Sequence, residues 1–165
     1  MLSSDRRTFL LTLAALPIAG CGFQPIYLQG SASRSLHGQI RTNLIESRNG
    51  FILLERLESR LGEPETNARF EMTVEMSVTQ AELILDVKKG ITRYELNGVA
   101  SITVTDSTSG MVVFTDKLRQ TTGYSGTSET AQTNAARQDA NERMIVALAD
   151  QIILRLTSTA NSWAK

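Results

Sequence analysis

Groups able to do chemistry are few in this chain. The single histidine, His37, lies in a polar stretch with no cysteine or second histidine beside it, so it has no metal set to join. Ser125 stands in Thr122-Gly123-Tyr124-Ser125-Gly126, which lacks the G-x-S-x-G spacing that lifts a nucleophilic serine onto a sharp turn. Glu71 and Glu75 fall on the polar side of an alternating segment and read as solvated charges rather than an acid–base pair. No phosphate loop or dinucleotide fingerprint occurs. The expectation is a protein without catalytic residues, metal or cofactor, and not an enzyme. Two features remain that could be modified or could bind. One is Cys21. The other is Lys88-Lys89-Gly90, at an expected turn just beyond the apolar Leu83-Ile84-Leu85. A lysine ammonium is a compact charge suited to phosphate, although two lysines at a turn tip also serve simply to keep it soluble.

Cys21 is the only cysteine, so no internal disulfide can form. Arg6 and Arg7 precede an apolar run from Phe9 to Ile18, and the small Ala19 and Gly20 follow. This is the layout of a secretory signal peptide, and the run is shorter than the roughly 20 residues of a membrane span. Leu16-Pro17-Ile18-Ala19-Gly20-Cys21 resembles the bacterial lipobox. That resemblance implies removal of residues 1–20 and attachment of lipid to Cys21. Because an acyl chain contributes roughly 0.8 kcal/mol per buried CH₂ and one chain holds only weakly, a stable anchor implies several. Asp5-Arg6-Arg7-Thr8-Phe9-Leu10 fits either a twin-arginine signal or an ordinary basic start for general secretion.

The elements that must position these groups come next. Without its first 20 residues the chain keeps 145, the size of one domain. The leader takes Arg6, Arg7 and Asp5 with it, so the formal charge moves from 0 to −1. That balance excludes the broad basic footprint of a nucleic-acid binder, and any anion site must be local. Residues 21–35, with Gly22, Pro25 and Gly30, read as a tether. Its apolar start, Phe23 to Tyr27, suggests docking on a partner or on a bilayer. The domain is expected over residues 36–158, with a tail at 159–165.

Residues 36–45 read as a first strand, with Ile40, Thr42 and Leu44 on one side, followed by a turn at residues 47–50. Leu53, Leu54, Leu57 and Leu61 recur at helical spacing, which predicts a helix over residues 51–61 ended by Gly62 and Pro64. One longer helix broken at Gly50 is the alternative. From Phe70 to Thr79 every even residue is apolar and every odd one polar, the mark of a strand with one buried face. The pattern returns at Tyr94, Leu96, Ala100, Ile102 and Val104. After a loop at residues 106–110 it returns again over residues 111–120, with Val112, Phe114 and Leu118. A long amphipathic helix, capped by Thr127 or Ser128, carries Ala136, Ala140, Met144, Leu148, Ile152 and Leu156 at fourfold spacing. Strand, helix, three antiparallel strands, helix is an α+β two-layer sandwich: a four-stranded antiparallel or mixed sheet with two helices on one face.

Gly20-Cys21-Gly22-Phe23-Gln24-Pro25-Ile26-Tyr27 resembles the mature start of the lipopolysaccharide-assembly lipoprotein family in its alphaproteobacterial form. The alternating strands, the basic turn between them and the C-terminal helix over residues 140–156 are similar to that family too. The resemblance implies a lipoprotein anchored to the periplasmic side of the outer membrane, and Gly22 after the cysteine is compatible with that sorting. It implies two partners. One is an outer-membrane β-barrel translocon, which the protein plugs and helps to assemble. The other is lipopolysaccharide, bound on its way to the outer leaflet. A basic residue before the glycine of the turn, here Lys88 or Lys89, and a second basic position, here Arg137, are implied as the lipopolysaccharide contacts. An envelope adaptor with another partner, or a lipoprotein hydrolase with an unrecognised site, are the competing readings, since fold does not fix function.

Overall fold

Four strands and two helices follow in the expected order in the computed structural model, which describes residues 35–43, 46–86, 91–126 and 129–164. The strands are β1 (Ile40–Thr42), β2 (Phe70–Asp86), β3 (Ile91–Asp106) and β4 (Val112–Gly126). The helices are α1 (Arg48–Leu61) and α2 (Thr130–Trp163). The sheet order is β1-β2-β3-β4. β2, β3 and β4 form an antiparallel meander, with Phe70↔Asp106 and Asp86↔Ile91 at the two ends of the first hairpin. β1 joins the start of β2 in parallel, which makes the sheet mixed.

The period-two pattern sets which face is covered. Phe70, Met72 and Val74 of β2 and Leu96, Ala100, Ile102 and Val104 of β3 are buried. Onto them pack Leu53, Leu57 and Leu61 of α1 and the stripe of α2 from Ala140 to Ala160. Each fully buried side chain of this size contributes about 1.5–3 kcal/mol relative to exposure, which fixes the register, since a slip of one residue would turn the apolar set to water. Gly98 lies among them because a Cβ there would stand 2.9 Å from Sδ of Met144 and 3.0 Å from Cδ1 of Leu148. Its missing side chain lets α2 come down onto β3. α1 and α2 are joined by the paired Arg56–Asp150 hydrogen bonds of 2.8 and 3.0 Å.

Several boundaries differ from those the sequence predicts. The first strand is only three residues long; Leu36 is buried in a turn before it, and Leu44 lies outside the described residues. The expected turn at 47–50 is the start of α1: the Ser47 hydroxyl accepts from the Gly50 amide at 3.0 Å, and Gly50 is buried inside the helix rather than breaking it. Thr127 and Ser128 lie outside the described residues; Glu129 occupies the N-cap of α2 without a side-chain cap bond. Residues 159–163, expected as tail, are helix. Ala160 is buried, and Trp163 packs edge-on to Phe70 at 5.2 Å and tilted on Phe114 at 5.6 Å, so the last turn is held by aromatic contacts. The strands also run on past their expected ends, to Asp86 and Gly126.

The two ends of the sandwich differ. At one end Asp106 closes the β3–β4 turn: one oxygen accepts from the amides of Thr108 (2.9 Å) and Ser109 (3.1 Å), the other from Nε of Arg69 (3.0 Å). β1 and the end of α2 share that end. The last β2–β3 pair, Asp86↔Ile91, and the start of α2 are at the other. Among the described residues no helix is long and apolar enough to cross a membrane.

Candidate functional site

α1 starts with Arg48, midway along the sheet, while β2 and β3 continue beyond it. This offset leaves a groove of about 290 Å³ between the helices. Its floor is Ile52, Val78 and Leu96, and its rim carries Arg48, Arg137, Gln138, Asn141 and Glu142. Gln80 closes one side and accepts a hydrogen bond from the Tyr124 hydroxyl at 3.0 Å. Tyr124 stacks on Tyr94 at 5.0 Å, so the wall behind it is aromatic. Burial pushes the Tyr124 phenol above its ordinary value, and the Arg137 charge opposes that shift, which places the guanidinium within electrostatic reach of the ring. Neither Arg48 nor Arg137 pairs with an acid among the described residues, whereas Arg56, Arg69, Arg143 and Arg155 all do. The arrangement is two available guanidinium groups above an apolar floor. It suits a ligand with an anionic head and an apolar tail, since guanidinium matches phosphate bidentately.

The sequence-predicted residues fall as follows. Arg137 is exposed on the rim of the groove. Lys88 and Lys89 lie outside the described residues; the strands that flank them close at Asp86↔Ile91, at the end of the sheet beyond the groove. Cys21 also lies outside the described residues. Arg48 was not singled out by sequence, although Ser47 before it fits an N-cap; its approach to the Arg137 groove comes from packing alone. His37 is exposed and its ring covers Gly62, where a Cβ would stand 2.6 Å from Cε1, so its contact is with the backbone turn. Ser125 is exposed on β4, and Glu71 and Glu75 are exposed on the helix-free face of β2. Among the described residues no trio of His, Cys, Asp or Glu comes together to hold a metal.

That helix-free face is a second surface of note. Across it run rows such as Glu75–Ser101–Lys117 and Thr73–Thr103–Thr115. Arg93 is exposed there, and Glu95, Ser101 and Thr103 are half-buried. A shallow groove of about 190 Å³ is lined by Glu75, Ser77, Ser101 and Lys117. The face is mostly polar, rich in short hydroxyl side chains, with Val99 and the exposed Leu83 as apolar members.

The lipopolysaccharide-assembly (LptE) family model matches residues 23–156. A protein from Caulobacter crescentus described as a lipoprotein has the same fold, with a TM-score of 0.63 at 22% identity over 77% of this chain and 93% of that one. A minor lipoprotein from Acinetobacter baumannii superposes with a TM-score of 0.57 at 16% identity, covering 74% and 94% of the two chains. The rare lipoprotein B of Shewanella oneidensis does so with a TM-score of 0.55 at 17% identity, covering 73% and 93%. No curated protein sequence matches. The family match spans most of the domain and both edges of the groove, and the chain belongs to the lipopolysaccharide-assembly (LptE) family.

Proposed function

We propose that this protein is an outer-membrane lipoprotein, acylated on Cys21 after loss of residues 1–20, that plugs and helps assemble the lipopolysaccharide translocon barrel and binds lipopolysaccharide in transit. The observation that carries the ligand half is the groove: Arg48 and Arg137, without acidic partners among the described residues, stand over Ile52, Val78 and Leu96. Lipid A joins phosphates to acyl chains, the two chemistries this groove offers. At about 290 Å³ the groove sits at the small end of ligand sites, roughly 300–1,000 Å³. It takes a phosphate and the first part of a chain, not a whole lipid A. Lys88 and Lys89, which follow Asp86 in sequence, are proposed as further cations for the same ligand. The helix-free sheet face supports the barrel half. A barrel lumen is polar, and a polar interface bridged by water is not weak for that reason. In this arrangement Arg93, Glu95, Ser101 and Thr103 meet the wall.

The function is recognition rather than bond-making. The test is binding of labelled lipopolysaccharide to the purified protein, compared among the parent, Arg48→Glu with Arg137→Glu, and Lys88→Glu with Lys89→Glu. Each pair is expected to weaken binding by tenfold or more, since a charge-assisted contact is worth about 1.5–3 kcal/mol, while the barrel complex survives. Unchanged binding in both pairs removes the groove and the lysine turn from the ligand path.

A further inference from the structure

We propose that the tip of the β3–β4 hairpin, residues 107–115, rests on the phospholipid surface that holds the acyl chains of Cys21, so that the protein meets its bilayer at two points. This rests on the acylation of Cys21 proposed above and is separate from the lipopolysaccharide groove.

Three observations carry it. First, Ser107-Thr108-Ser109-Gly110-Met111-Val112-Val113-Phe114-Thr115 contains no charged residue. Met111 and Val112 are 67% and 56% exposed, adjacent at the end of the hairpin. Asp106, which opens this segment, spends its carboxylate inward on Arg69 and two backbone amides, with 9% of its side chain exposed, so it presents no free charge to a headgroup. Second, Gly110 takes φ +69° and has no atom within 4 Å of where a Cβ would be, so the turn projects into open space. Third, the chain enters the domain at this same end. Leu36 to Gln39 lead into Ile40, Ile40 pairs with Phe70, Phe70 pairs with Asp106, and the Ser107 amide donates to the Arg69 carbonyl at 2.8 Å. The fourteen residues from 21 to 34 therefore join the domain beside the apolar tip.

Extended, those fourteen residues reach about 50 Å, so tether length alone allows either end of the sandwich to face the lipid. The chemistry of the two ends decides. Lys88 and Lys89 belong by sequence to the other end, between Asp86 and Ile91, whose pairing lies about 50 Å along β3 from Asp106. A neutral hydroxyl-rich turn with two exposed apolar side chains instead fits the boundary between headgroups and acyl chains, where apolar faces settle a few ångströms deep. In a barrel-bound protein this end stays at the periplasmic mouth, over the inner leaflet, and the groove end points inward.

The experiment uses the full-length acylated protein in phosphatidylethanolamine–phosphatidylglycerol vesicles. Because Cys21 carries lipid, Thr108→Cys or Ser125→Cys supplies the one thiol for a fluorescent label. Vesicles containing nitroxide-labelled lipid then quench a probe that touches the bilayer. The expected result is several-fold stronger quenching at position 108 than at 125, lost when Met111→Asp and Val112→Asp are added. Retention on vesicles with equal or no quenching at the two positions overturns the proposal and leaves the anchor intact. Stronger quenching at 125 overturns it in favour of the lysine end on anionic lipid. Failure of the protein to float with vesicles removes acylation at Cys21, and the proposal with it.

Discussion

Replacing Gly98 with valine separates strand preference from packing. In a central strand the exchange gains from β-propensity, by up to about 1 kcal/mol, and from a less flexible unfolded chain, by about 0.4–1 kcal/mol. The geometry reverses that sign. The first added carbon would lie 2.9 Å from Sδ and 3.2 Å from Cε of Met144, and 3.0 Å from Cδ1 of Leu148. Ordinary contacts between such atoms are about 3.5–4.0 Å, so both neighbours must retreat by roughly half an ångström before any methyl is placed. Met144 and Leu148 are 1% and 0% exposed, which leaves them little room. Overpacking of this kind costs about 1–3 kcal/mol, and the two further methyls of valine put this site at the upper end. The expected net loss is about 1–2 kcal/mol. Gly98→Ala falls near zero, because the Met144 thioether is flexible. The assay is urea unfolding of the mature chain carrying Cys21→Ser, followed by circular dichroism. Adding Met144→Ala to Gly98→Val makes room and is expected to give a coupling of at least about 1 kcal/mol. A more stable Gly98→Val protein, or simple additivity with Met144→Ala, would mean that Met144 and Leu148 do not crowd this position.

Other outcomes follow from the same geometry. Trp163, the only tryptophan, packs on Phe70 and Phe114; being half-buried, its replacement by alanine is expected to cost about 2 kcal/mol. Its fluorescence in the parent protein should change cooperatively with circular dichroism during unfolding. The Ser109 amide, then Arg69 and the Thr108 amide, hold the Asp106 carboxyl below the usual carboxylate range against its burial. A carboxylate so depressed contributes stability that is full above the ordinary value of about 4 and is lost as pH falls through its lower folded value. The urea midpoint is therefore expected to drop below about pH 4, and to drop less in Asp106→Asn, which keeps the amide acceptor but has no proton to take up. Asp116, lowered chiefly by its hydrogen bond from Arg155, acts in the same window, so Asp106→Asn with Asp116→Asn flattens the profile further.

The sandwich was legible because its periods are clean. Ten residues of strict alternation from Phe70 and a fourfold stripe from Ala136 specify a buried strand face and a helix that covers it, whatever surrounds them. The failures sit where local pattern gives way to tertiary contact. β1 is short because only Ile40 to Thr42 find a partner on β2, although the residues around them suit a strand. The last turn of α2 has no apolar stripe of its own length to announce it; Trp163 is held by two rings that are 49 and 93 residues earlier in sequence. Of the two arginines on the groove's rim, Arg137 was reached through resemblance to a family pattern. Arg48 was not reached, because only the packing of α1 against α2 brings it to the same groove, and no spacing along the chain encodes that approach.

On the proposed function, this lipoprotein works inside a barrel and not alone. The most direct measurement is a mild-detergent pull-down of the tagged full-length protein from its own membranes, with mass spectrometry of what accompanies it. The expected result is a large outer-membrane β-barrel protein in roughly one-to-one amount, and lipopolysaccharide that is depleted when Arg48 and Arg137 are reversed in charge. Recovery of the acylated protein without a barrel would contradict the plug, and would leave an envelope lipoprotein whose polar sheet face serves another partner.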